Sequence, residues 1–330
     1  MVTSELLSAR DLRVEFGLPG GRTARAVAGV NLDVAPGEIV ALAGESGCGK
    51  TTLARTLLGL EKATGGTVSF GEIPLRHSTR AMKAYRRKVQ LILQDPSGAL
   101  NPRHTIYDAV AEGLRIHGIT DNETERVADA LARAGLRPAE NFFLSYPHEL
   151  SGGQRQRAVI AGALVLDPKI IIADEPVASL DASVRGEILA LLLRLREEMN
   201  LGALVITHDL GLAWSIADRI AIMYLGRIVE QGPVEQVLTD PQHPYTQALV
   251  SVLPESPLPE PIVLAGELPD ATSVPGGCRY NPRCQEVASG RAQPVIDSCR
   301  GRDLPILSPD STEHAVACHL HALRQQQVRS

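Results

Sequence analysis

The chain has 330 residues, of which 44% are hydrophobic and 3% aromatic, and its formal net charge is −5. That length allows one large or two modest domains with a substantial core. The acidic balance and the scarcity of aromatic rings argue against a nucleic-acid-binding surface. No apolar run approaches the roughly 18 residues of a membrane span, and the first residues lack the pattern of a signal peptide. We therefore expect a cytosolic protein whose five cysteines form no structural disulfides.

Before the first glycine-rich segment, the chain is predicted to form strands and turns. Residues 7–16 alternate apolar and polar types, which favours an edge strand. Residues 17–24 are rich in turn formers and indicate a loop, and residues 26–35 predict a second strand closed by Pro36-Gly37.

The segment Gly44–Thr51 matches the spacing G-x-x-x-x-G-K-[ST] between an apolar run at 38–43 and leucines at helical spacing in 52–60. Glycines allow backbone N–H groups to converge at a helix N-terminus, where a polyphosphate binds. Lys50 can reach the β- and γ-phosphates, and the Thr51 hydroxyl can ligate Mg²⁺. An accidental glycine-rich turn is disfavoured, because the predicted strand before the segment and the predicted helix after it are the context that this motif requires. The residues expected around the phosphates are Gly44, Ser46, Gly47, Cys48, Gly49, Lys50, Thr51 and Thr52.

The remainder of the first 235 residues alternates short apolar runs with helical patterns, which is typical of a parallel sheet covered on both faces. The predicted strands are residues 64–70, 89–93, 170–173 and 203–206. Residues 105–136 predict a helical insertion. A further helix covers 184–195 and is capped by Asp181 or Ser183.

Polar side chains follow three of these strands, where open α/β sheets place their chemistry. Asp174 is expected to hold Mg²⁺ through water, and the adjacent Glu175 to act as the general base for an attacking water. His208 is predicted to orient that water and the γ-phosphate, and Gln94 to contact both Mg²⁺ and the water. Each residue alone has a structural explanation, such as a helix cap or a turn, but their joint placement favours a catalytic role.

The segment Leu150–Arg157 begins Leu-Ser-Gly-Gly-Gln and predicts a second anion site at a helix N-terminus. Since one phosphate loop suffices for one nucleotide, this site is expected to bind the γ-phosphate of a nucleotide held by another subunit. With it, the sequence resembles the ATP-binding cassette of ABC transporters. The family's motifs follow in order, including the Q-loop at Gln94 and the D-loop at Ser179-Leu180-Asp181.

The resemblance implies an α/β fold of the phosphate-loop NTPase type, with a mostly parallel sheet core, an antiparallel β subdomain and an α-helical subdomain at about 95–160. It implies an ATP-binding domain over 1–235 and a C-terminal region over 236–330. No motif residue is substituted, so an active ATPase is expected. In a head-to-tail dimer the second subunit would contribute Ser151, Gly153, Gln154 and Asp181. Phe16 is the candidate for adenine stacking, with a place in the core as its alternative.

The C-terminal region resembles that of the oligopeptide/dipeptide importers, in His243–Leu249 and in Gly277–Cys284. Other motifs favour the second, F-type ATPase subunit. The resemblance implies a heterodimer with an unlike ATPase subunit, two transmembrane permeases and an extracytoplasmic peptide-binding protein. The chain would then lie at the cytoplasmic face of the membrane. Residues 94–103 and the helical insertion would contact the permeases.

Four cysteines lie in this last region, Cys278, Cys284, Cys299 and Cys318. In a reducing compartment such a set suggests metal ligation, and all-sulfur ligation suits zinc or an iron–sulfur centre. Some members of the resembled subfamily hold a [4Fe–4S] cluster here, so we favour that group. The 14 residues between Cys284 and Cys299 depart from the shorter spacing of the family. Four unligated thiols remain the alternative.

Three other functions are compatible with parts of the pattern. The same machinery could import another solute, such as nickel or glutathione, because no substrate pocket is visible in the sequence. A soluble ABC ATPase of translation or DNA repair usually carries two cassettes or a long coiled coil, and this chain has neither. A non-hydrolysing regulatory cassette is disfavoured by the intact Glu175 and His208.

Overall fold

The computed structural model describes residues 5–329 apart from 179, 255, 257, 259 and 310–312. The described residues form two compact units. The first consists of residues 5–6, 34–39 and 70–206, and the second of residues 7–33, 40–69 and 207–329. The phosphate loop and the C-terminal region therefore belong to the same unit. The boundary at residue 235 stays a prediction.

The strands and helices are numbered in chain order. The strands are β1 (Leu7–Leu18), β2 (Arg22–Val34), β3 (Ile39–Ala43), β4 (Gly65–Phe70), β5 (Ile73–Pro74), β6 (Val89–Ile92), β7 (Ile170–Asp174), β8 (Gly202–Thr207), β9 (Arg219–Tyr224), β10 (Arg227–Pro233) and β11 (Ala315–Val316). The helices are α1 (Lys50–Leu57), α2 (Thr79–Arg86), α3 (Pro96–Ala99), α4 (Ile106–His117), α5 (Glu123–Arg133), α6 (Gly152–Leu164), α7 (Ala182–Met199), α8 (Leu210–Ile216), α9 (Val234–Thr239), α10 (Pro244–Ser251), α11 (Gln285–Ala288), α12 (Ile296–Gly301) and α13 (His319–Arg329).

The first unit has a parallel sheet in which β7 lies between β6 and β8. The residues Ile170–Ala173 of β7 are fully buried, as expected for a strand with both faces covered. In the predicted helical insertion, α4 and α5 pack on α6. Thr105 caps α4 by accepting a hydrogen bond from Asp108 N, and Gly118 ends it in the left-handed conformation. The insertion is therefore confirmed as two helices separated by a short turn.

In the second unit, β1 lies between β2 and β4 and is not an edge strand. The prediction of an edge was wrong because alternation reports that one face is buried and says nothing about neighbours on either side. The strands also extend into the predicted loop at 17–24, since β1 ends at Leu18 and β2 begins at Arg22. The turn-forming residues occupy only the tip of the hairpin.

The second sheet of this unit begins with β3, which pairs in parallel with β9. The strand β10 pairs antiparallel with β9 on one side and with β11 on the other. The late strand β11 thus joins residues near position 315 to the sheet that carries the phosphate loop. These elements confirm the predicted α/β fold with parallel strands, a separate β sheet and a helical insertion.

After α10 the described residues contain the short helices α11 and α12, the two-residue strand β11 and the longer helix α13, joined by turns. Within the described part of the chain, none of the helices combines the length and the apolar character that a membrane crossing requires.

Candidate functional site: a phosphate loop and strand-end catalytic residues

The phosphate loop joins β3, which is buried throughout, to α1, which begins at Lys50. The Lys50 Nζ donates hydrogen bonds to the carbonyl oxygens of Gly44 at 2.7 Å and Glu45 at 2.9 Å. The Lys50 ammonium group is thus bound to the loop backbone, and we expect it to bind phosphate oxygens in place of these carbonyls when a nucleotide is present. Ser46, Gly47 and Thr51 are exposed, so their polar groups are accessible to a ligand.

Two glycines of this loop cannot be replaced without strain. Gly44 has φ 152°, and a Cβ there would lie 2.2 Å from the carbonyl oxygen of Met223. Gly49 has φ 111° at the N-cap of α1, and its Cβ would lie 2.2 Å from the carbonyl oxygen of Ala26. Contacts this short exclude any side chain, so both glycines are required by the backbone path itself.

Cys48 and Thr52 complete the predicted loop set. Cys48 is 1% exposed, and burial raises the pKa of its thiol, against the lowering effect of the nearby Lys50 ammonium. A buried, protonated thiol is a poor nucleophile, which agrees with a small packing residue. Thr52 is partly exposed in the first turn of α1.

In the first unit the structure brings Gln94 and Glu175 together. They follow the adjacent strands β6 and β7, and Gln94 Nε2 donates a hydrogen bond to Glu175 Oε2 at 3.2 Å. The Glu175 N–H donates to the carbonyl oxygen of Ile206 in β8 at 3.0 Å. Asp174 is the last residue of β7. Parallel strands place their carboxyl ends at one edge, and this brings the amide beside the carboxylate.

Glu175 also has a strained backbone, with φ 48°. A non-glycine residue in the left-handed region costs about 1 kcal/mol or more, and such strain is concentrated at functional sites.

His208 follows β8 in the second unit and is exposed. Its neighbour Asp209 caps α8 by accepting a hydrogen bond from Leu212 N at 3.1 Å. The cap holds the turn from which the imidazole projects, because it satisfies a donor at the start of the helix.

The segment at 150–157 forms the start of α6 through a capping box. Ser151 Oγ accepts from Gln154 N at 3.2 Å, and Gln154 Oε1 accepts from Ser151 N at 2.9 Å. A Cβ at Gly153 would lie 2.7 Å from Val184 Cγ1, so a glycine permits α6 to approach α7. Ser151 is exposed, with its hydroxyl at a helix N-terminus of the kind that binds anions.

Asp181 is the cap of α7, and Ser183 is not. The Asp181 Oδ1 accepts from Val184 N at 3.0 Å and from Ser183 Oγ at 2.7 Å. The hydrogen bond from the Val184 N–H, followed by that from Ser183, lowers the pKa of the Asp181 carboxyl. Of the predicted D-loop, Ser179 lies outside the described residues.

Phe16, in β1, is 36% exposed. The alternative that it belongs to the core is therefore wrong. An exposed ring remains available for stacking on a base, which stays a prediction.

The four late cysteines line one cavity of about 20 Å³ in the second unit. Burial, with a smaller effect of neighbouring thiols, raises the pKa of Cys278 to about 12 and that of Cys299 to about 11. Within the described residues, no group of three or more His, Cys, Asp or Glu side chains is arranged to hold a metal ion. The thiols converge, but they do not form a ready-made mononuclear site.

Sequence reasoning missed two residues that contact the phosphate loop, Arg283 and Tyr245. Arg283 donates two hydrogen bonds to the Glu45 carboxylate, Nη1 to Oε2 at 2.7 Å and Nη2 to Oε1 at 3.0 Å. The Tyr245 hydroxyl accepts a hydrogen bond from Glu45 N at 2.9 Å. More than 190 residues separate the partners in the chain, so no local pattern reports them. The one available signal was an acidic residue in an anion-binding loop, which needs a counter-charge.

Comparison with known proteins agrees with this architecture. Residues 27–178 match the family model described as ABC transporter, and residues 229–290 match that described as oligopeptide/dipeptide transporter, C-terminal region. The chain is also similar to solved cassettes. It matches cbiO1 of Clostridium perfringens with a TM-score of 0.63 and 29% identity, over 72% of this chain and 92% of that one. It matches MJ0796, solved as a dimer with ADP and Pi, with a TM-score of 0.61 and 29% identity, over 69% and 98%.

Curated relatives cover nearly the whole chain. The dipeptide transport ATP-binding protein DppF of Escherichia coli is 42% identical, over 85% of this chain and 86% of its own length. The oligopeptide transport ATP-binding protein AppF of Bacillus subtilis is 39% identical, over 96% and 98%. The predicted resemblance to the F-type subunits is thus confirmed. The chain belongs to the ABC transporter family, as an ATPase subunit of the group that carries the oligopeptide/dipeptide transporter C-terminal region.

Proposed function

We propose that this protein hydrolyses ATP to power the import of oligopeptides or dipeptides through a membrane. The observation that carries the proposal is a complete set of cassette motifs in a chain 39–42% identical to peptide transport ATP-binding proteins. Import of nickel or glutathione by the same machinery is the alternative, because the sequence shows no substrate pocket that would name the solute.

The phosphate loop supplies ATP binding. Its exposed N–H groups and the N-terminus of α1 accept the phosphates, Lys50 exchanges its two carbonyl partners for phosphate oxygens, and Thr51 ligates Mg²⁺. Phe16 stacks on the adenine. The other phosphate contacts are Gly44, Ser46, Gly47, Cys48, Gly49 and Thr52.

Hydrolysis depends on the residues that follow the parallel strands. Glu175 accepts the proton of the attacking water, and its hydrogen bond to Gln94 keeps the carboxylate in place. Gln94 and Asp174 contribute to the Mg²⁺ site, and His208 orients the γ-phosphate. These assignments rest on the family motifs and on the geometry within each unit.

A second ATPase subunit completes each site. Ser151, Gly153 and Gln154 at the start of α6, with Asp181, would bind the γ-phosphate of a nucleotide held by the partner. The exposed Ser151 hydroxyl at an anion-binding helix terminus supports this role. The resemblance to the importer subfamily implies an unlike second ATPase, so we propose a heterodimer whose closure assembles the two sites.

The helical region at about 95–160 supplies the contact with two transmembrane permeases, together with residues 94–103. Exposed apolar side chains support a docking surface here, since Leu144 is 82% exposed and Tyr146 is 38% exposed. The protein would then be peripheral, at the cytoplasmic face of the membrane, beneath permeases that receive peptides from an extracytoplasmic binding protein. The division into domains at 1–235 and 236–330 belongs to this proposal.

The test is an affinity purification of the tagged chain from detergent-solubilised native membranes, with identification of the co-purifying proteins. We expect two multi-span permeases, a second cassette ATPase and a peptide-binding protein. Leu144→Asp is expected to lose the permeases and to retain ATP binding. Val263→Asp is the matched control, because Val263 is equally exposed at 88% but lies outside the helical region.

The outcomes separate the functions. A binding protein whose ligand is a metal ion or glutathione would replace the peptide assignment with that solute. Ribosomal or DNA-repair partners without permeases would overturn transport and leave the ATPase.

The four cysteines are proposed to hold a [4Fe–4S] cluster. In support, all four line one cavity and provide only sulfur donors. Zinc, which also binds four cysteine sulfurs, is the alternative. The cluster would act as a structural or electron-transfer group. Anaerobically purified protein is expected to contain iron and acid-labile sulfide, and zinc alone would overturn the cluster.

A further inference from the structure

The phosphate loop contains an acidic side chain at a place where an anion is expected to bind. Glu45 directly follows Gly44, and its side chain is 27% exposed. An unpaired carboxylate in this loop would repel the phosphates of ATP, because like charges a few ångströms apart interact by more than thermal energy at a protein surface. The loop therefore requires a counter-charge for Glu45 that does not occupy the phosphate position.

Arg283 supplies that charge from the C-terminal region. The ion pair is bidentate, and the arginine side chain is only 5% exposed. Bidentate arginine–carboxylate pairs are short, directional and about twice as strong as neutral hydrogen bonds. The pair is thus a specific interaction between partly buried groups, unlike the exposed ion pairs that contribute little.

The guanidinium is held in place from every side. Its Nε donates to the Ala265 carbonyl oxygen at 2.9 Å, Nη1 also lies 3.4 Å from the Tyr224 hydroxyl, and the group sits 5.8 Å from the centre of the Tyr224 ring. Four of its five N–H donors are engaged on this side and the side chain is 5% exposed, so the guanidinium is held against Glu45 and away from the phosphate position. It fixes Glu45 and does not replace Lys50.

The backbone of Glu45 is fixed by the same region. Tyr245 is fully buried at the second position of α10, and its hydroxyl accepts the Glu45 N–H. Its ring packs edge-on against Tyr224 at 4.7 Å and is tilted on Tyr280 at 5.4 Å. Both the side chain and the main chain of one loop residue are therefore anchored to elements beyond residue 223.

Arg283 also directly precedes Cys284 and ends the turn Asn281–Arg283. Arg283 and Cys284 are consecutive residues, so the guanidinium and one cysteine of the cavity lie on the same short backbone segment. The ion pair therefore joins the segment that carries Cys284 to the phosphate loop.

We propose that Arg283 is a positioning residue for ATP binding: it neutralises and orients Glu45, so that the affinity of the phosphate loop depends on the folded C-terminal region. This rests on the proposed function only in taking Gly44–Thr51 as the ATP site.

The test asks whether removing the charge of Glu45 restores the ATP affinity that is lost when Arg283 is replaced. The affinity of the full-length protein is measured by isothermal titration calorimetry. Arg283→Ala is expected to raise the Kd for ATP about tenfold, since it leaves one negative charge in the loop. Arg283→Lys keeps the charge with fewer hydrogen bonds and is expected to raise it about threefold. Glu45→Gln in the Arg283→Ala background is expected to return the Kd to within about twofold of the wild type.

The matched control is Arg291→Ala, in the same region. Arg291 is 62% exposed and does not contact the phosphate loop; its partner Glu286, 9% exposed, keeps Arg324 as a second partner, so the Kd for ATP is expected to be unchanged. Should Arg283→Ala fail to fold, the neutral pair Glu45→Gln with Arg283→Gln replaces it. That double variant is expected to bind ATP within about threefold of the wild type, whereas Arg283→Gln alone is not.

The results that would contradict the role of Arg283 differ from those that would contradict the proposed function. If Glu45→Gln does not suppress the loss in Arg283→Ala, Arg283 acts through the fold and the proposal is overturned. Wild-type affinity in Arg283→Ala overturns it as well, while the proposed function stands. A wild-type protein that binds no ATP would overturn both.

Discussion

Glu230 is the most completely buried carboxylate among the described residues, and its replacement gives a direct test of the C-terminal packing. It is 0% exposed and accepts three hydrogen bonds. Oε1 accepts from Gln242 N at 2.7 Å and lies 2.6 Å from His314 Nε2, and Oε2 accepts from His243 N at 2.9 Å. One side chain in β10 thus anchors the start of α10 and the approach to β11.

Glu230→Gln replaces one oxygen by an NH₂ group, and it thereby removes the charge that three hydrogen-bond donors contact. An amide has one acceptor oxygen, so at least one of the three donors would face the new NH₂ group. A hydrogen bond to a charged group contributes about 1.5–3 kcal/mol, and a buried donor left without a partner costs about 1–3 kcal/mol more. We expect the free energy of unfolding to fall by about 3 kcal/mol. Glu230→Ala leaves all three donors unpaired and is expected to cost more.

The assay is urea unfolding followed by the fluorescence of Trp214, the single tryptophan, which belongs to the same unit as Glu230. Glu235→Gln, an identical change at an exposed position of α9, is the control and is expected to stay within about 0.5 kcal/mol of the wild type. A Glu230→Gln protein as stable as that control would refute the reasoning from buried hydrogen bonds.

Three further predictions concern catalysis, the loop and pH. Glu175→Gln is expected to bind ATP and to lose turnover, and a mutant with near wild-type ATPase activity would remove Glu175 from its role. Gly49→Ala is expected to abolish ATP binding in calorimetry, because its Cβ would lie 2.2 Å from a backbone carbonyl oxygen, whereas Gly186→Ala in α7 meets no atom within 4 Å and is expected to stabilise the helix. Burial lowers the pKa of His243 to about 4, so between pH 4 and 6.5 the unfolded state binds more protons. The free energy of unfolding is therefore expected to fall by about 3 kcal/mol as the pH drops through that window. The dependence should disappear in His243→Asn and persist in His148→Asn, at an exposed histidine; an unchanged slope in the former would contradict the assignment.

Patterns within short segments were sufficient to predict most of the elements. The apolar run Ile170–Ala173 became the buried β7, and the glycine loop between β3 and α1 has the predicted context. Helix periodicity located α4 and α5. These predictions succeed because strand and helix periods, capping residues and glycine geometry act over a few residues, so the local sequence contains the relevant physical information.

Only the tertiary structure shows which strands and side chains are adjacent. The central position of β1 and the choice of Asp181 over Ser183 as a cap depend on partners or dihedral angles that the local pattern does not specify. The contact between Gln94 and Glu175 depends on β6 and β7 being adjacent.

By itself, the sequence determined the family, the phosphate loop and the residues expected to perform hydrolysis, because these residues lie in short contiguous motifs. Only the tertiary structure revealed that Glu45 is paired with Arg283, 238 residues away along the chain. The reason is physical: a partly buried charge is neutralised by whichever side chain the fold brings within about 3 Å, and the separation along the chain places no limit on that choice.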